Sequence, residues 1–205
     1  MTLKTFPTLA RGPQGGGARV IANTAVNRSP LTGSVQVLQR PGTRLIMSVT
    51  FNRRANPDRA ILQGFLAGLY GQEHTVLYDD PKHTIQRGVL SGTPLVNGAS
   101  QTGEALIIDG VGSVSDWIMA GDHLSFDNGT YRELKIVTAD VTSSAGNATI
   151  PISPEIHISP ANNAAIDISM PVQGTWHLLD AEGAEWDDEV GDRSTFVIEF
   201  EEHIE

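Results

Sequence analysis

The chain has 205 residues, a formal net charge of −10, no cysteine, and many glycines (21) and prolines (11). This length allows one large domain or two small ones, and the absence of cysteine excludes disulfides and thiolate metal sites. No run approaches the roughly 20 apolar residues of a membrane span, and no apolar segment near the start resembles a secretory signal.

The charge is unevenly distributed along the chain. Residues 1–60 carry nine Lys or Arg and one acid, whereas residues 180–205 carry eleven acids and one base. One interpretation is solvated surface charge. The other is that the basic start meets the acidic end, within a subunit or between neighbours, where opposite potentials would set register and partner choice. Because the bases are scattered rather than clustered with aromatics, we expect no sequence-specific nucleic-acid binding.

The first third of the chain predicts an arm followed by strands. Residues 1–18 contain the sequence RGPQGGGA and are expected to form a flexible arm. β-like sequences follow at 19–26, 34–40 and 43–52. In the last of these, alternate residues share one face, which predicts a strand packed on one side: Leu45, Met47, Val49 and Phe51.

One helix is predicted over residues 57–70. Asn56 is the expected N-cap, with Pro57 in the first turn. An apolar stripe at helical spacing consists of Ile61, Leu62, Phe65, Leu66 and Leu69. Gly64 and Gly68 each weaken a helix by roughly 1 kcal/mol relative to alanine. They are either tolerated or allow a strand or another subunit to approach closely.

The remaining sequence predicts a mainly β fold with an inserted module. Residues 74–79 and 85–92 are expected to be strands. Residues 93–170 are expected to form short strands joined by tight turns. Near the end, Phe196, Ile198 and Phe200 alternate with polar residues. The expected architecture is a flanking β-domain with one helix, from residues 19–92 plus 171–205, that carries a small inserted β-barrel formed by residues 93–170.

Turn sequences divide the inserted module. Asn128-Gly129 suits a two-residue type I′ turn after the strand HLSFD, and ATIPIS and EIHIS are expected to be separate short strands. The prolines at 151, 154 and 160 lack an amide donor and belong at sheet edges or strand ends.

No catalytic motif is found in the sequence. The six histidines form no H-x-x-x-H pair, and no nucleophile elbow, Walker A or dinucleotide fingerprint is present. The acid run from Asp187 to Asp192 is either a solvated loop or a Ca²⁺ site. We therefore expect no enzyme activity, no cofactor and no metal site.

The three tryptophans have two interpretations. Trp117, Trp176 and Trp186 are either buried anchors or exposed platforms on which sugars stack, since small β-barrels can bind saccharides. Under the second interpretation, Trp117 and Tyr131 are the candidate ligand contacts.

Several motifs together resemble a known protein class. They are Gly92-Thr93-Pro94-Leu95-Val96-Asn97-Gly98-Ala99, Trp117 with Ala120-Gly121-Asp122, Ala139-Asp140 through Pro154, and a closing F-V-I-E-F-E-E. In their order along residues 35–205 they resemble minor tail proteins of long-tailed bacteriophages, most of all the distal-tail or tail-tip ring proteins.

This resemblance implies a virion structural protein assembled in the host cytoplasm. A tail-tube-like β-sandwich with a flanking helix would form a ring, commonly a hexamer, with an OB- or galectin-like barrel inserted. The ring would join the tail tube protein to the tip, baseplate or fibre proteins. A carbohydrate- or receptor-binding module is the alternative. Candidate core and subunit-contact residues are Arg44, Arg53, Arg54, Ile61, Phe65, Leu69, Glu199 and Glu201.

Overall fold

The computed structural model describes residues 1–204 and is mainly β. Within these residues there are fifteen strands and one helix. They are β1 (Leu3–Thr5), β2 (Gly15–Ile21), β3 (Thr24–Arg28), β4 (Val35–Gln39), β5 (Arg44–Arg54), α1 (Asp58–Ala67), β6 (Thr75–Asp79), β7 (Gly92–Val96), β8 (Gly103–Val111), β9 (His123–Asp127), β10 (Arg132–Val137), β11 (Asn147–Ile156), β12 (Ile166–Asp167), β13 (Gln173–Leu178), β14 (Ala184–Glu189) and β15 (Arg193–Glu202).

Strands from both ends of the chain form a seven-stranded sheet. Its order is β1-β6-β13-β15-β5-β2, with β14 also paired to β15. In the central pair, Ile198 lies opposite Val49 and Phe200 lies opposite Met47. The predicted alternation is confirmed, because these side chains are at most 1% exposed in one core. Helix α1 adds Leu62 and Leu66 to the same core, and Leu69, which the predicted helix included, reaches that core from the turn after the helix ends at Ala67.

The middle of the chain forms a six-stranded sheet with its own core. Its order is β12-β9-β10-β11-β8-β7. The two end strands nearly meet, because Val96 donates its backbone N–H to Ala164 O (2.9 Å) and Leu95 forms a β-bridge with Ala165. The sheet is therefore barrel-like and nearly closed. Its interior is apolar and includes Leu106, Ile150 and Trp117.

The two sheets touch where β10 crosses β13. Leu134 of β10 belongs to the core of the seven-stranded sheet. The backbone N–H of Arg132 donates to Thr175 Oγ1 at 3.0 Å. A Cβ added at Gly174 would lie 2.9 Å from Leu134 Cβ. Glycine at 174 therefore permits the close approach of the two sheets.

The expected flexible arm over residues 1–18 is not an unpaired segment. Strand β1 pairs in parallel with β6, and β2 pairs with β5 from Gly15 onward. Between them, the ring of Phe6 stacks on Phe51 with centroids 5.8 Å apart and lies 4.2 Å from the ring of Tyr78. Apolar burial of Phe6 outweighs the flexibility that the glycines and prolines suggested.

Two local predictions near the helix are wrong. Pro57, not Asn56, is the N-cap residue, and no side chain caps the helix. The Asn56 amide instead donates to Asp192 Oδ2 at 3.2 Å. Residues 85–91 form no strand, because the carboxylate of Asp122 accepts the backbone N–H groups of Arg87 (2.6 Å) and Gly88 (2.9 Å). The peptide donors of Arg87 and Gly88 thus bond to a side chain, and those of Val89 and Leu90 bond to the carbonyls of Asp116 and Trp117 outside any strand.

Two predictions inside the six-stranded sheet are also wrong. Asn128 and Gly129 do not form a type I′ turn, since only Gly129 has positive φ (93°). The Asn128 side chain instead accepts the N–H groups of Thr130 and Tyr131, which makes a four-residue loop. ATIPIS and the start of EIHIS form one continuous strand, β11, that includes Pro151 and Pro154.

Candidate functional site: an exposed hairpin and a buried ionic junction

The basic start and the acidic end of the chain meet within the subunit. Arg44 pairs with Glu201, and Arg53 pairs with Glu189 at 3.2 Å. Arg59 pairs with Asp192 and, at 3.6 Å, with Asp188. The acid run predicted as a loop thus lies on strand β14 and the following turn, with Arg53 and Arg59 as its cationic partners. These pairs are partly exposed and screened, so each contributes little stability.

The other predicted contact residues divide between core and surface. Arg54 is 2% exposed, and its guanidinium lies 3.7 Å from the Asp58 carboxylate. The same guanidinium donates a hydrogen bond to Gly12 O at 2.5 Å. Burial lowers the Arg54 pKa, and the Asp58 charge opposes that shift. Leu69 is fully buried, Phe65 is half-buried against the core, and Ile61 is 39% exposed.

The aromatic residues proposed for ligand stacking are buried. Trp117 is fully buried and donates its indole N–H to Ser91 O at 2.8 Å, and Tyr131 is 6% exposed. Neither offers an exposed face to a sugar ring. Trp176 is also fully buried, whereas Trp186 is 45% exposed. The buried-anchor interpretation is therefore confirmed for Trp117 and Trp176.

An ionic network lies buried where the two sheets join. The ammonium of Lys135 on β10 lies 2.9 Å from Glu133 Oε2 and 3.1 Å from Glu202 Oε1 on β15. It also donates to Glu155 O at 3.0 Å. The His157 Nε2 atom lies 3.7 Å from Glu202 Oε2. All four side chains of the network, those of Glu133, Lys135, His157 and Glu202, are at most 5% exposed.

The Lys135 charge and several hydrogen bonds act on the Glu133 carboxylate of this network. Burial by itself would raise the pKa of Glu133. The Lys135 charge and hydrogen bonds from Lys135, Ile158 N and Asn128 outweigh burial and hold that pKa below its usual value. Glu202 also accepts the backbone N–H of Leu45 at 3.1 Å. Strands β10, β15 and β5 are thereby tied together.

Three side chains of the network have the chemistry of a metal site. Ligand atoms of Glu133, His157 and Glu202 lie within 4.8 Å of one another. Lys135, however, places a positive charge within hydrogen-bonding distance of both carboxylates. A divalent cation there would face a buried ammonium, so the donor set fits a structural ion pair better than a metal centre.

A second histidine cluster lies beside the 80–88 segment. The rings of His83 and His123 stack with centroids 3.7 Å apart. Burial, and secondarily the neighbouring His83, lower the pKa of His123 to about 4, although Asp80 and Asp122 act in the opposite direction. Gln86 fixes the position of the segment by accepting the backbone N–H of His123 at 3.0 Å.

A β-hairpin formed by β3 and β4 leaves several apolar side chains uncovered, and we call it the exposed hairpin (residues 24–39). Within residues 1–204 its two strands pair only with each other and contribute to neither core. Nine of its ten strand residues are exposed, including Val26 (62%), Val37 (63%) and Leu38 (59%), and Leu31 at its tip is 95% exposed. The sequence predicted β4 at 34–40, but it predicted a single strand over 19–26, which spans the end of β2 and the start of β3, and it did not predict that the hairpin leaves the sheet.

The alternating pattern of a strand could not reveal this exposure. On β4, Val35 and Val37 have the two-residue spacing of a strand packed on one face, and Val26 on β3 lies opposite Val37. Only the pairing partners decide what covers that face. A two-stranded hairpin is marginally stable in water by itself. An uncovered apolar hairpin therefore indicates an interaction surface.

Comparison with models of known protein families finds no match to this chain, and comparison with curated proteins finds none either. The described residues contain no helix long and apolar enough to cross a membrane.

Proposed function

We propose that this chain is a structural protein of the tail of a long-tailed bacteriophage that assembles into a ring and acts through its surfaces rather than as an enzyme. In this proposal the seven-stranded sheet is a tail-tube-like β-sandwich, and the six-stranded sheet is an OB- or galectin-like barrel inserted into it. The ring, commonly sixfold in such proteins, would join the tail tube to the tip, baseplate or fibre proteins.

The exposed hairpin is the observation that carries the proposal. Its valine side chains lie outside both cores, and Leu31 at its tip is almost fully exposed. A monomer gains nothing from holding such a hairpin in water, because its apolar area stabilises the fold only when something covers it. Copies that bind one another through two different surfaces form a closed ring when the rotation between them closes.

The sequence motifs add the second support. The stretch from Gly92 to Ala99, the Trp117 and Ala120-Gly121-Asp122 combination, and the closing strand Phe196–Glu202 resemble ring proteins of the distal tail. The alternative, a carbohydrate-binding module, is less favoured because Trp117 and Tyr131 are both buried.

Electron microscopy and mass photometry of the purified protein test the proposal. We expect closed rings of uniform stoichiometry, and we expect mass spectrometry to find the protein in the tails of purified phage particles. A variant in which a short Gly-Ser linker replaces residues 24–39 should keep its urea unfolding transition but remain monomeric. A wild-type protein that is monomeric at all concentrations and absent from particles would refute the proposal.

A further inference from the structure

One face of the exposed hairpin forms an apolar strip with a single positive charge. Val26 lies directly opposite Val37, and Arg28 lies directly opposite Val35. Directly opposed residues, and residues two apart on one strand, share a face. The valine strip (Val26, Val35 and Val37) and Arg28 therefore face the same direction, and the three valines are 48–63% exposed.

A groove on strands β14 and β15 has the complementary chemistry. It has a volume of about 420 Å³. Val197 (38% exposed) provides its exposed apolar side chain, and Glu185 and Asp187, which lie opposite Val197 and Thr195, provide its charge. We call it the acidic groove; its lining is Ala184, Glu185, Trp186, Asp187, Thr195 and Val197. Within residues 1–204, β14 pairs with β15 and with no other strand.

The unpaired charges of the two surfaces also match. In the described part of the chain, neither Glu185 nor Asp187 forms an ion pair, whereas nearby Asp188 and Glu189 pair with arginines of the same subunit. Arg28 on the hairpin likewise has no carboxylate partner among residues 1–204. Glu185 and Asp187 are therefore available to an arginine of a second molecule, and Arg28 is available to a carboxylate.

We infer that the valine strip of one copy docks in the acidic groove of the next copy of this chain. The valines would cover Val197, and Arg28 would lie beside Glu185 and Asp187. The inference rests on the proposed ring function and specifies its contact. Because the two surfaces differ, the contact is heterologous, and each copy offers one hairpin and one groove.

Disulfide cross-linking tests this contact cleanly, because the natural chain contains no cysteine. Two single variants, Val37→Cys and an affinity-tagged Val197→Cys of larger mass, are mixed, oxidised and separated on a non-reducing gel. Both positions are exposed, so both variants should fold. We expect a mixed disulfide dimer between the two variants that disappears on reduction, and no disulfide dimer from Val37→Cys alone.

The outcomes of this experiment distinguish a failure of the proposed contact from a failure of the proposed ring. A disulfide dimer from Val37→Cys alone would mean that hairpins pair with each other and would overturn the inference. Rings that form without the mixed disulfide would also overturn it, while leaving the proposed function intact. The mixed disulfide in open filaments that never close would support the contact and argue against the ring.

Charge reversal provides an independent readout. Arg28→Glu or Asp187→Arg should each weaken self-association about tenfold or more, because like charges would then face each other. The combined variant Arg28→Glu with Asp187→Arg should recover much of that loss. Glu182→Arg, an exposed acid outside the acidic groove, is the matched control and should assemble normally. If the combined variant recovers nothing, the pairing of these two residues is wrong.

Discussion

The Lys135 ammonium lies 3.1 Å from Glu202 Oε1, and this ion pair joins the six-stranded sheet to the seven-stranded sheet. The same ammonium contacts Glu133 at 2.9 Å, so one buried cation balances two buried carboxylates. Because these groups are removed from water, their geometry determines whether the network stabilises or destabilises the junction. This network therefore adds to the contacts of Leu134 and Gly174 that already join the two sheets.

Replacing the buried Lys135 cation should destabilise the fold. Lys135→Met leaves Glu133 and Glu202 buried without their shared countercharge, and we expect the free energy of unfolding to fall by about 3–5 kcal/mol. Urea unfolding followed by circular dichroism measures the change. A triple variant, Lys135→Met with Glu133→Gln and Glu202→Gln, removes the uncompensated charges and should recover part of the loss. A loss below about 1 kcal/mol in the single variant would contradict the buried network.

Acid should destabilise the fold through His123. Its pKa falls from 6.5 in the unfolded chain to about 4 in the folded protein. The folded state therefore binds fewer protons between these pH values. Stability is fully present above pH 6.5 and is lost as the pH falls towards 4, by roughly 3 kcal/mol in total. Urea unfolding across this pH range measures the slope.

The slope of unfolding free energy against pH should diminish in His123→Gln, because glutamine does not titrate. The control Val190→Ala, at a fully exposed residue, removes no titratable group and should keep the wild-type slope. An unchanged pH dependence in His123→Gln would assign the acid sensitivity to other groups.

Truncating the buried tryptophan should destabilise the six-stranded sheet. Trp117→Ala creates a cavity and leaves Ser91 O without its indole donor, and we expect a loss of about 3–5 kcal/mol. Tyr70→Ala, at an aromatic that is 73% exposed, is the control and should change stability by about 0.5 kcal/mol or less. Thermal unfolding of both variants measures the difference. Equal effects would mean that Trp117 does not anchor the core.

Replacement by alanine should change the stability of the fold in opposite directions at two glycines. Nothing lies within 4 Å of a Cβ added at Gly64, so Gly64→Ala should stabilise the subunit by about 1 kcal/mol through helix propensity. A Cβ at Gly88 would lie 2.5 Å from Trp117 O, so Gly88→Ala should destabilise by about 1–3 kcal/mol. Urea unfolding measures both. If Gly64→Ala stabilises the subunit yet prevents assembly, a neighbouring subunit packs on that helix face.

Short-range patterns in the sequence predicted much of the fold. The alternation of Leu45, Met47, Val49 and Phe51 predicted a buried strand face, which is confirmed. The predicted helical stripe is buried at Leu62 and Leu66, but Ile61 is 39% exposed and the buried Leu69 lies past the end of the helix. These patterns are local, because side-chain direction follows from the two-residue period of a strand and the 3.6-residue period of a helix. The prediction of a mainly β chain with one helix is confirmed for the same reason.

Contacts between distant residues were not predictable in this way. The pairing of Asp122 with the 87–88 backbone removed a predicted strand, and burial of Phe6 against Phe51 and Tyr78 fixed the start of the chain. Both depend on residues more than 30 positions apart. No periodicity encodes such distances.

The sequence by itself determined which residues can form strands, the helix and the turns, because those preferences depend on neighbouring residues. It also determined that basic residues are concentrated near the start of the chain and acidic residues near its end. Only the tertiary structure decided that Arg44, Arg53 and Arg59 meet that acidic end within one subunit, while Arg28 remains without such a partner. Coulomb interaction and apolar burial depend on distance in space, and folding alone sets that distance.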